Sequence, residues 1–373
     1  MPIFPFKIMQ LQKVLQFSKR TIPQLIRRVL PNVLALGAVS LLGGILIELM
    51  GASAYEIYSL LWSSTFGSFD NFGYVLFNAT PLIFTGLAVT IGFRCGLFNI
   101  GCEGQLYLAG FAAAWVGFQF NLPAVLLIPL CLCAAMAAGA FWGAIPGYLK
   151  AKYGVHEVIN AIMLNFIAVA LTNYLVTEIY QEPNQMSPQT RKIYETAQLP
   201  RLAHFFPMLP LSNPLNVTLL LAIGSVLLCH FFLMRTRWGY EIRLVGNAPE
   251  AAAYAGINVP LVTVWTMALS GAIAGFAGVW DVMGYHHRFI NNFSPGFGFT
   301  GIAVALLGRN HPYGVVFAAL LFGALSNGAL TIEILTDVPR ELFLIIEAAL
   351  ILFLICAERF TRRTRHGVLS PSV

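Results

Sequence analysis

Residues 79–118 read ATPLIFTGLAVTIGF-RC-GLFNIGCEGQ-LYLAGFAAAWVGF, two long apolar runs separated by the glycine-rich segment 96–105. A helix that spans a bilayer takes about 20 mostly apolar residues, and each run approaches that length. The segment between them contains three glycines, an asparagine, a glutamate and a glutamine. This pattern fits a water-exposed loop, a tight contact between helices or an interruption of a helix inside a membrane.

The composition of the whole chain indicates a membrane protein. Its 373 residues are 58% hydrophobic and 10% charged, whereas soluble domains carry about 25% charged residues. Apolar runs of spanning length recur along the sequence and do not show the alternation of a membrane β-barrel. The sequence therefore predicts an all-α integral membrane protein with several spans.

We expect about ten transmembrane helices. The shortest, 297–308, would cover only about 18 Å of a hydrocarbon core about 30 Å thick, so it is either a tilted span or a re-entrant segment. Residues 52–71 are too polar to span, and 180–213 form the longest polar loop. The predicted spans are 29–50, 72–93, 104–120, 124–149, 155–178, 215–234, 260–284, 297–308, 313–331 and 341–357.

Basic residues predict the orientation. With ten spans and both termini in the cytoplasm, five of the 22 Lys and Arg side chains lie outside and the other seventeen lie inside, as the positive-inside rule requires. This division explains the positive charge of the chain without a nucleic-acid partner. It gives a basic, amphipathic cytoplasmic N-terminus (1–28), a transmembrane domain (29–358) and a basic cytoplasmic tail (359–373).

The chain also shows signs of two related halves. The segment 96–105 precedes an apolar run in the first half, and SPGFGFTGIA (294–303) precedes another in the second. Glycine-interrupted apolar segments at corresponding positions are typical of internal repeats around a central pathway. The letters themselves do not match clearly.

The cytoplasmic stretch 235–258 contains a well-marked short helix. Pro249 and Glu250 are typical of a first helical turn, and Gly256 is a typical stop. Such a helix is either a docking element for a partner or part of a connecting loop.

Several motifs in one order resemble a known family. GLFNIGCEGQ, VHEVINAIMLNF, GYEIRLVGNAPEAAAYAGI, SGAIAGFAGV and GFGFTGIAVALLGRNHPYGV together resemble permease subunits of bacterial ABC importers, in the nucleoside and simple-sugar branch. The resemblance runs from about residue 29 to 358. It implies an external binding protein, an ATPase subunit, a second related permease and a location in the bacterial inner membrane.

In that family, the loop between the sixth and seventh spans holds a coupling helix that sits in a groove of the ATPase. The chain has no P-loop sequence, so we expect no enzyme activity and no cofactor of its own, with ATP bound by the partner. No metal site is expected. The resemblance assigns ATPase coupling to Gly246, Asn247, Ala251, Ala252, Tyr254, Ala255 and Gly256, and we add Arg243 and Glu250 of the same stretch as coupling candidates.

Polar side chains within the spans are candidates for the translocation pathway, since such groups are functional hypotheses by default. Amides suit a neutral cargo that needs hydrogen bonds. The alternative is a structural role, as contacts between helices or, for Glu103, as a cap on a helix N-terminus. The pathway candidates are Asn99, Glu103, Gln105, Asn160, Asn165, Phe297 and Phe299.

Two other functions are weighed against the importer subunit. An ion-coupled secondary transporter of a small polar solute would need an ionisable group deep in the membrane, and Glu103 is the strongest candidate. An intramembrane enzyme would need a nucleophile–base pair or an H-E-x-x-H signature, and the sequence contains neither.

Overall fold

The structure is a computed structural model that describes residues 33–336 and 338–366. Within them the chain is helical, and its few extended contacts are isolated bridges. The predicted N-terminal segment 1–28 and residues 367–373 of the predicted tail lie outside the described residues. The helices are α1 (Val33–Leu49), α2 (Ala54–Phe66), α3 (Phe69–Arg94), α4 (Cys102–Gln119), α5 (Ala124–Tyr153), α6 (Glu157–Tyr174), α7 (Thr218–Arg235), α8 (Arg237–Asn247), α9 (Pro249–Tyr254), α10 (Val259–Val282), α11 (Phe297–Leu307), α12 (Pro312–Leu335) and α13 (Glu341–His366).

Each of the ten predicted spans corresponds to one of these helices. Six helical segments within the described residues are long and apolar enough to cross a membrane, while α1 and α11 are apolar but shorter. The number of crossings and the side on which the termini lie stay predictions. The six segments are α3, α5, α6 with the π-helical turn Leu175–Ile179, α7, α10 and α12.

The chain divides into two compact units. Residues 58–336 form the larger unit, which contains α3 to α12. The other contains the described residues 33–57 and 338–366, which include α1, the start of α2 and α13. The features described below all lie in the larger unit.

The centre of the larger unit consists of α3, α4 and α10, whose residues are mostly buried. Small residues allow these helices to approach closely, as is common in membranes. A side chain at Gly271 of α10 would collide with the backbone of Gly139 on α5, and one at Gly278 would collide with α4 near Gly110.

One end of the bundle carries a folded cap, which we define as residues 181–216 and 283–296. Backbone hydrogen bonds tie its two parts together, from Thr190 to Phe289 (2.9 Å) and from Leu199 to Met283 (2.8 Å). Asn213 fastens the cap to the first turn of α3 through Asp70. The segment 180–213, predicted as a polar loop, is therefore an ordered part of the fold.

The opposite end, which we call the coupling end, brings together the end of α3, the stretch 235–258 and the turn before α12. The predicted short helix is present as α9. The sequence reading missed α8, which occupies the first half of the same stretch. Its apolar positions Gly239, Ile242 and Val245 follow helical spacing and are buried.

Candidate functional site

Residues 95–101 interrupt the helical run between α3 and α4, and the rest of the polar segment 96–105 is the first turn of α4. Helix α3 ends at Arg94, and Gly96 then takes a left-handed conformation with φ of 71° that suits glycine. Leu97 donates its backbone N–H back to the Gly92 carbonyl at 3.0 Å, which closes the helix end. Helix α4 begins at Cys102. Asn99, Glu103 and Gln105 are buried, which does not fit a water-exposed loop. The segment breaks the helical run and also contacts neighbouring helices closely, and its depth in a membrane stays a prediction.

Two buried amides hold this interruption in shape. Asn99 and Gln105 donate to each other, at 3.0 and 3.1 Å. Asn99 also donates to Ser270 on α10 at 2.7 Å, and Ser270 donates to the Ala88 carbonyl of α3 at 2.6 Å. The three side chains link α3, α4 and α10, and sequence reasoning missed Ser270.

A third amide fixes the start of α4. Asn165 of α6 accepts from the Gly104 N–H at 2.8 Å and donates to the Ile100 carbonyl at 3.0 Å. Both partners are backbone groups that no helix would satisfy at this position. Asn165 therefore completes the hydrogen bonding of the interruption.

Glu103 caps a second helix. Its carboxylate accepts the backbone N–H of Gly298, in the first turn of α11, at 2.7 Å. Ser294 forms a side-chain hydrogen bond to the same carboxylate and accepts the N–H groups of Gly296 and Phe297. An anion at a helix N-terminus is favourable, and this contact corresponds to the structural alternative considered for Glu103.

The two glycine-rich motifs thus meet inside the bundle. Glu103 and Gly298 are each the second residue of their helix. A side chain at Gly298 would collide with the backbone nitrogen of Glu103. Irregular backbone at membrane depth is tolerated when protein covers it, and Tyr107 packs on Phe293 at this point, with ring centroids 4.8 Å apart. Helix α11 covers only about 16 Å, so it does not cross the bilayer alone.

The remaining pathway candidates lie apart from this network. Asn160 is half-buried, and its Nδ2 atom has no hydrogen-bond partner within the described residues. Phe297 is half-buried and packs edge-on against Trp280 at 5.4 Å. Phe299 is 48% exposed.

The predicted coupling residues form a helical corner. Thr236 caps the start of α8, because its hydroxyl accepts the Gly239 N–H at 3.1 Å, a common N-cap. Helix α9 follows, and Gly256 ends it with φ of 80°. Ala252 is buried and anchors α9, whereas Asn247, Glu250, Ala251, Tyr254 and Ala255 are exposed. Tyr254 is 93% exposed.

Gly246 connects this corner to the interruption. A side chain there would collide with the Arg94 carbonyl oxygen and would lie 2.8 Å from the Gly96 nitrogen. Only glycine allows α8 to touch the backbone at the end of α3 so closely. Arg243 is half-buried, and its guanidinium contacts the Met234 sulfur at 3.9 Å.

A buried carboxylate that sequence reasoning did not single out lies where α10 meets the cap. Asp281, in the last turn of α10, pairs with His286 Nδ1 at 2.7 Å. The adjacent His287 is half-buried, and burial, followed by the charge of Lys192, lowers the pKa of its imidazole. No group of three or more His, Cys, Asp or Glu side chains that could hold a metal occurs among the described residues.

Comparison with known proteins identifies the family. A family model described as the permease component of the branched-chain amino acid transport system matches residues 71–355, which is most of the chain. The chain belongs to this permease family. It is a transport subunit of an ABC transporter and not an enzyme, and the ATPase activity belongs to a partner subunit.

Three relatives of this permease each align with more than two thirds of its length. The glucose ABC transporter permease TsgB13 of Haloferax volcanii is 38% identical over 94% of this chain and 92% of its own. The guanosine ABC transporter permease NupP of Bacillus subtilis is 40% identical over 83% and 88%. A second guanosine permease of Bacillus subtilis, NupQ, is 30% identical over 71% and 84%. No solved structure matches the chain.

Proposed function

We propose that this permease forms half of the translocation pathway of an importer for a nucleoside, with a simple sugar as the second choice of cargo. The observation that carries the proposal is the near full-length similarity to permeases named for guanosine and glucose. Both cargoes are neutral molecules with several hydroxyl groups. Amide and aromatic side chains within the spans are suited to such a cargo.

The hydrogen bonding divides the pathway candidates into two groups. Asn99, Gln105 and Asn165 use their amides to join buried helices, so we assign them to holding the interruption. Glu103 caps α11 and belongs to the same group. Phe299 has an exposed ring, and we assign contact with cargo to it. The amide donor of Asn160 is unpartnered but buried, so it would reach cargo only when the helices around it move. An aromatic face packs well against a base or a sugar.

We propose that α9 is the ATPase-coupling helix. Its exposed residues Ala251, Tyr254 and Ala255 are spaced at i, i+3 and i+4, so they share one face. Two small side chains beside a projecting tyrosine suit insertion into a groove of another protein. The contact between Gly246 and the end of α3 then gives a direct route from α9 to the interruption.

The second permease subunit is proposed to be a related but different chain. Bacillus subtilis has two permeases named for guanosine, and this chain is 40% identical to NupP but 30% identical to NupQ. Such a pair is expected when two related permeases form one transporter. An external binding protein would deliver cargo at the cap, and the coupling end with both termini would face the cytoplasm of a bacterial inner membrane.

A pull-down in mild detergent from the protein's own cells tests the partners. Recovery of a P-loop ATPase together with a second hydrophobic subunit is the expected result. A permease that purifies alone or as a homo-oligomer, while known complexes survive the same treatment, would overturn the proposed assembly.

A further inference from the structure

One loop of the cap presents large apolar side chains outward. Residues 202–215, which we call the apolar loop, read LAHFFPMLPLSNPL. The exposed members are Phe205 (63%), Phe206 (57%), Met208 (66%) and Leu211 (67%). These four side chains are not part of the translocation or coupling features described above.

The apolar loop is held rigidly at its base. Leu202 donates its N–H to the Leu215 carbonyl at 2.8 Å, and Arg201 forms an antiparallel bridge with Asn216. The inward side chains Leu202 and Leu215 are buried in a cluster with Phe77, Leu219 and Trp280. Because the base is fixed, the four outward side chains stay exposed in a set position.

The apolar loop leads directly into a face of α7 that has the character of a lipid contact. Apart from Arg235 at its end, the exposed residues of α7 are large and apolar, namely Leu220, Ile223, Leu227, Leu228 and Phe231. Contacts between helices in a membrane favour small residues, whereas large apolar side chains dominate this face, with Gly224 as a small residue among them. The loop closes at Leu215, three residues before α7 begins.

The absence of charged residues in the apolar loop also favours contact with lipid. Residues 202–217 contain no Asp, Glu, Lys or Arg, and His204 is the one titratable side chain among them. The rim of a surface that docks a soluble protein is usually polar. Aromatic and aliphatic side chains without charge are instead typical of segments that enter the boundary between headgroups and acyl chains.

We propose that the apolar loop is a membrane anchor. Phe205, Phe206, Met208 and Leu211 insert into the bilayer surface on the cap side, where they continue the lipid-facing side of α7. The cap is then fixed to the membrane at this edge, and a binding protein has to dock on the polar remainder of the cap. The inference does not depend on the identity of the cargo.

Site-directed fluorescence quenching tests the anchor in the full transporter reconstituted in phosphatidylcholine vesicles. The exposed natural cysteines Cys133 and Cys356 are first replaced by serine. A bimane label is then placed at Phe206→Cys or, as the control, at Met186→Cys. Met186 is also a fully exposed apolar residue of the cap, but it lies in the polar stretch 181–192.

The anchor predicts that doxyl lipid with a shallow label quenches the probe at 206 several-fold more than iodide does, with the reverse order at 186. Quenching of the 206 probe by iodide, with protection only when binding protein is added, would make the loop a docking surface and overturn the proposal. Protection from both quenchers would mean that another subunit covers the loop, which would also overturn it. Phe206→Asp gives a second test, with the bimane label placed at Met208→Cys. The added charge should lower quenching of this probe by doxyl lipid without lowering recovery of the ATPase in a pull-down.

Discussion

Glu103 and Gly298 join the two glycine-rich motifs of the chain at the N-termini of two helices. The carboxylate of Glu103 accepts the Gly298 N–H at 2.7 Å, across 195 positions of sequence. Both residues occupy the second position of their helix. This contact holds α11, which is too short to cross the membrane alone, against the start of α4.

The capping role of Glu103 predicts different effects for two substitutions. Glu103→Gln keeps an acceptor oxygen for Gly298 and is expected to retain most of the stability. Glu103→Ala leaves the buried N–H of Gly298 unpaired, at a cost of about 1–3 kcal/mol. For a domain of 150–250 residues, about 1 kcal/mol shifts the melting temperature by about 2–4 °C.

The melting temperature of each variant is measured in detergent by fluorescence size-exclusion chromatography. Uptake by the same variants is measured in vesicles. A Glu103→Gln protein of normal stability that no longer transports would assign Glu103 to the pathway and contradict the capping role.

The Asn99–Gln105 pair predicts a measurable coupling energy. Asn99→Ala, Gln105→Ala and the double variant form a cycle, and residues in one network are not additive. Hydrogen bonds between membrane helices average about 0.6 kcal/mol, with a maximum near 1.7. We expect a coupling energy in that range when the free energies of unfolding are measured in mixed micelles. Additive losses would show that the reciprocal amide contact contributes no stability.

The close approach at Gly246 predicts a defect in coupling. Gly246→Ala places a methyl group against the Arg94 carbonyl and pushes α8 away from the end of α3. We expect the complex to assemble and hydrolyse ATP, but with uptake per ATP reduced at least several-fold. Gly224→Ala in α7 is the matched control, because its methyl group meets nothing within 4 Å. Equal effects of the two variants would remove Gly246 from the coupling route.

The exposed face of α9 predicts a loss of ATPase binding. Tyr254→Asp adds a charge where a groove of the partner is proposed, and we expect recovery of the ATPase in a pull-down to fall at least tenfold. Tyr194→Asp, at an exposed tyrosine of the cap, should leave recovery unchanged. If ATPase recovery survives Tyr254→Asp, α9 is not the principal contact.

The lowered pKa of His287 predicts a loss of stability in acid. Its folded pKa lies below the value of about 6.5 in an unfolded chain, so the unfolded state binds more protons as pH falls. The His287 contribution is therefore complete above about pH 6.5 and is lost as pH falls below it. His287→Asn should weaken the fall in melting temperature between about pH 7 and 5, since asparagine tolerates the φ of 58° found there. The same substitution at exposed His204 should change nothing.

The sequence predicts local features of this fold more fully than the partners of its polar groups. Pro249 and Gly256 mark α9 because capping depends on neighbouring residues. The interruption at 96–105 is visible because glycines and polar residues break an apolar run. The partners Ser270 and Gly298 are not visible in this way, since they lie 171 and 195 positions from Asn99 and Glu103. Helix α8 was missed because its polar residues outweigh a buried stripe of three small and apolar positions.

The most direct test of the central claim is uptake by the reconstituted transporter. The permease, its co-purified ATPase and second permease are placed in vesicles with ATP on the coupling side, and the binding protein and labelled guanosine or glucose on the cap side. We expect uptake of the nucleoside that needs both ATP and binding protein and that falls at least tenfold with Tyr254→Asp. Uptake driven by an ion gradient without ATP, and abolished by Glu103→Gln, would contradict it.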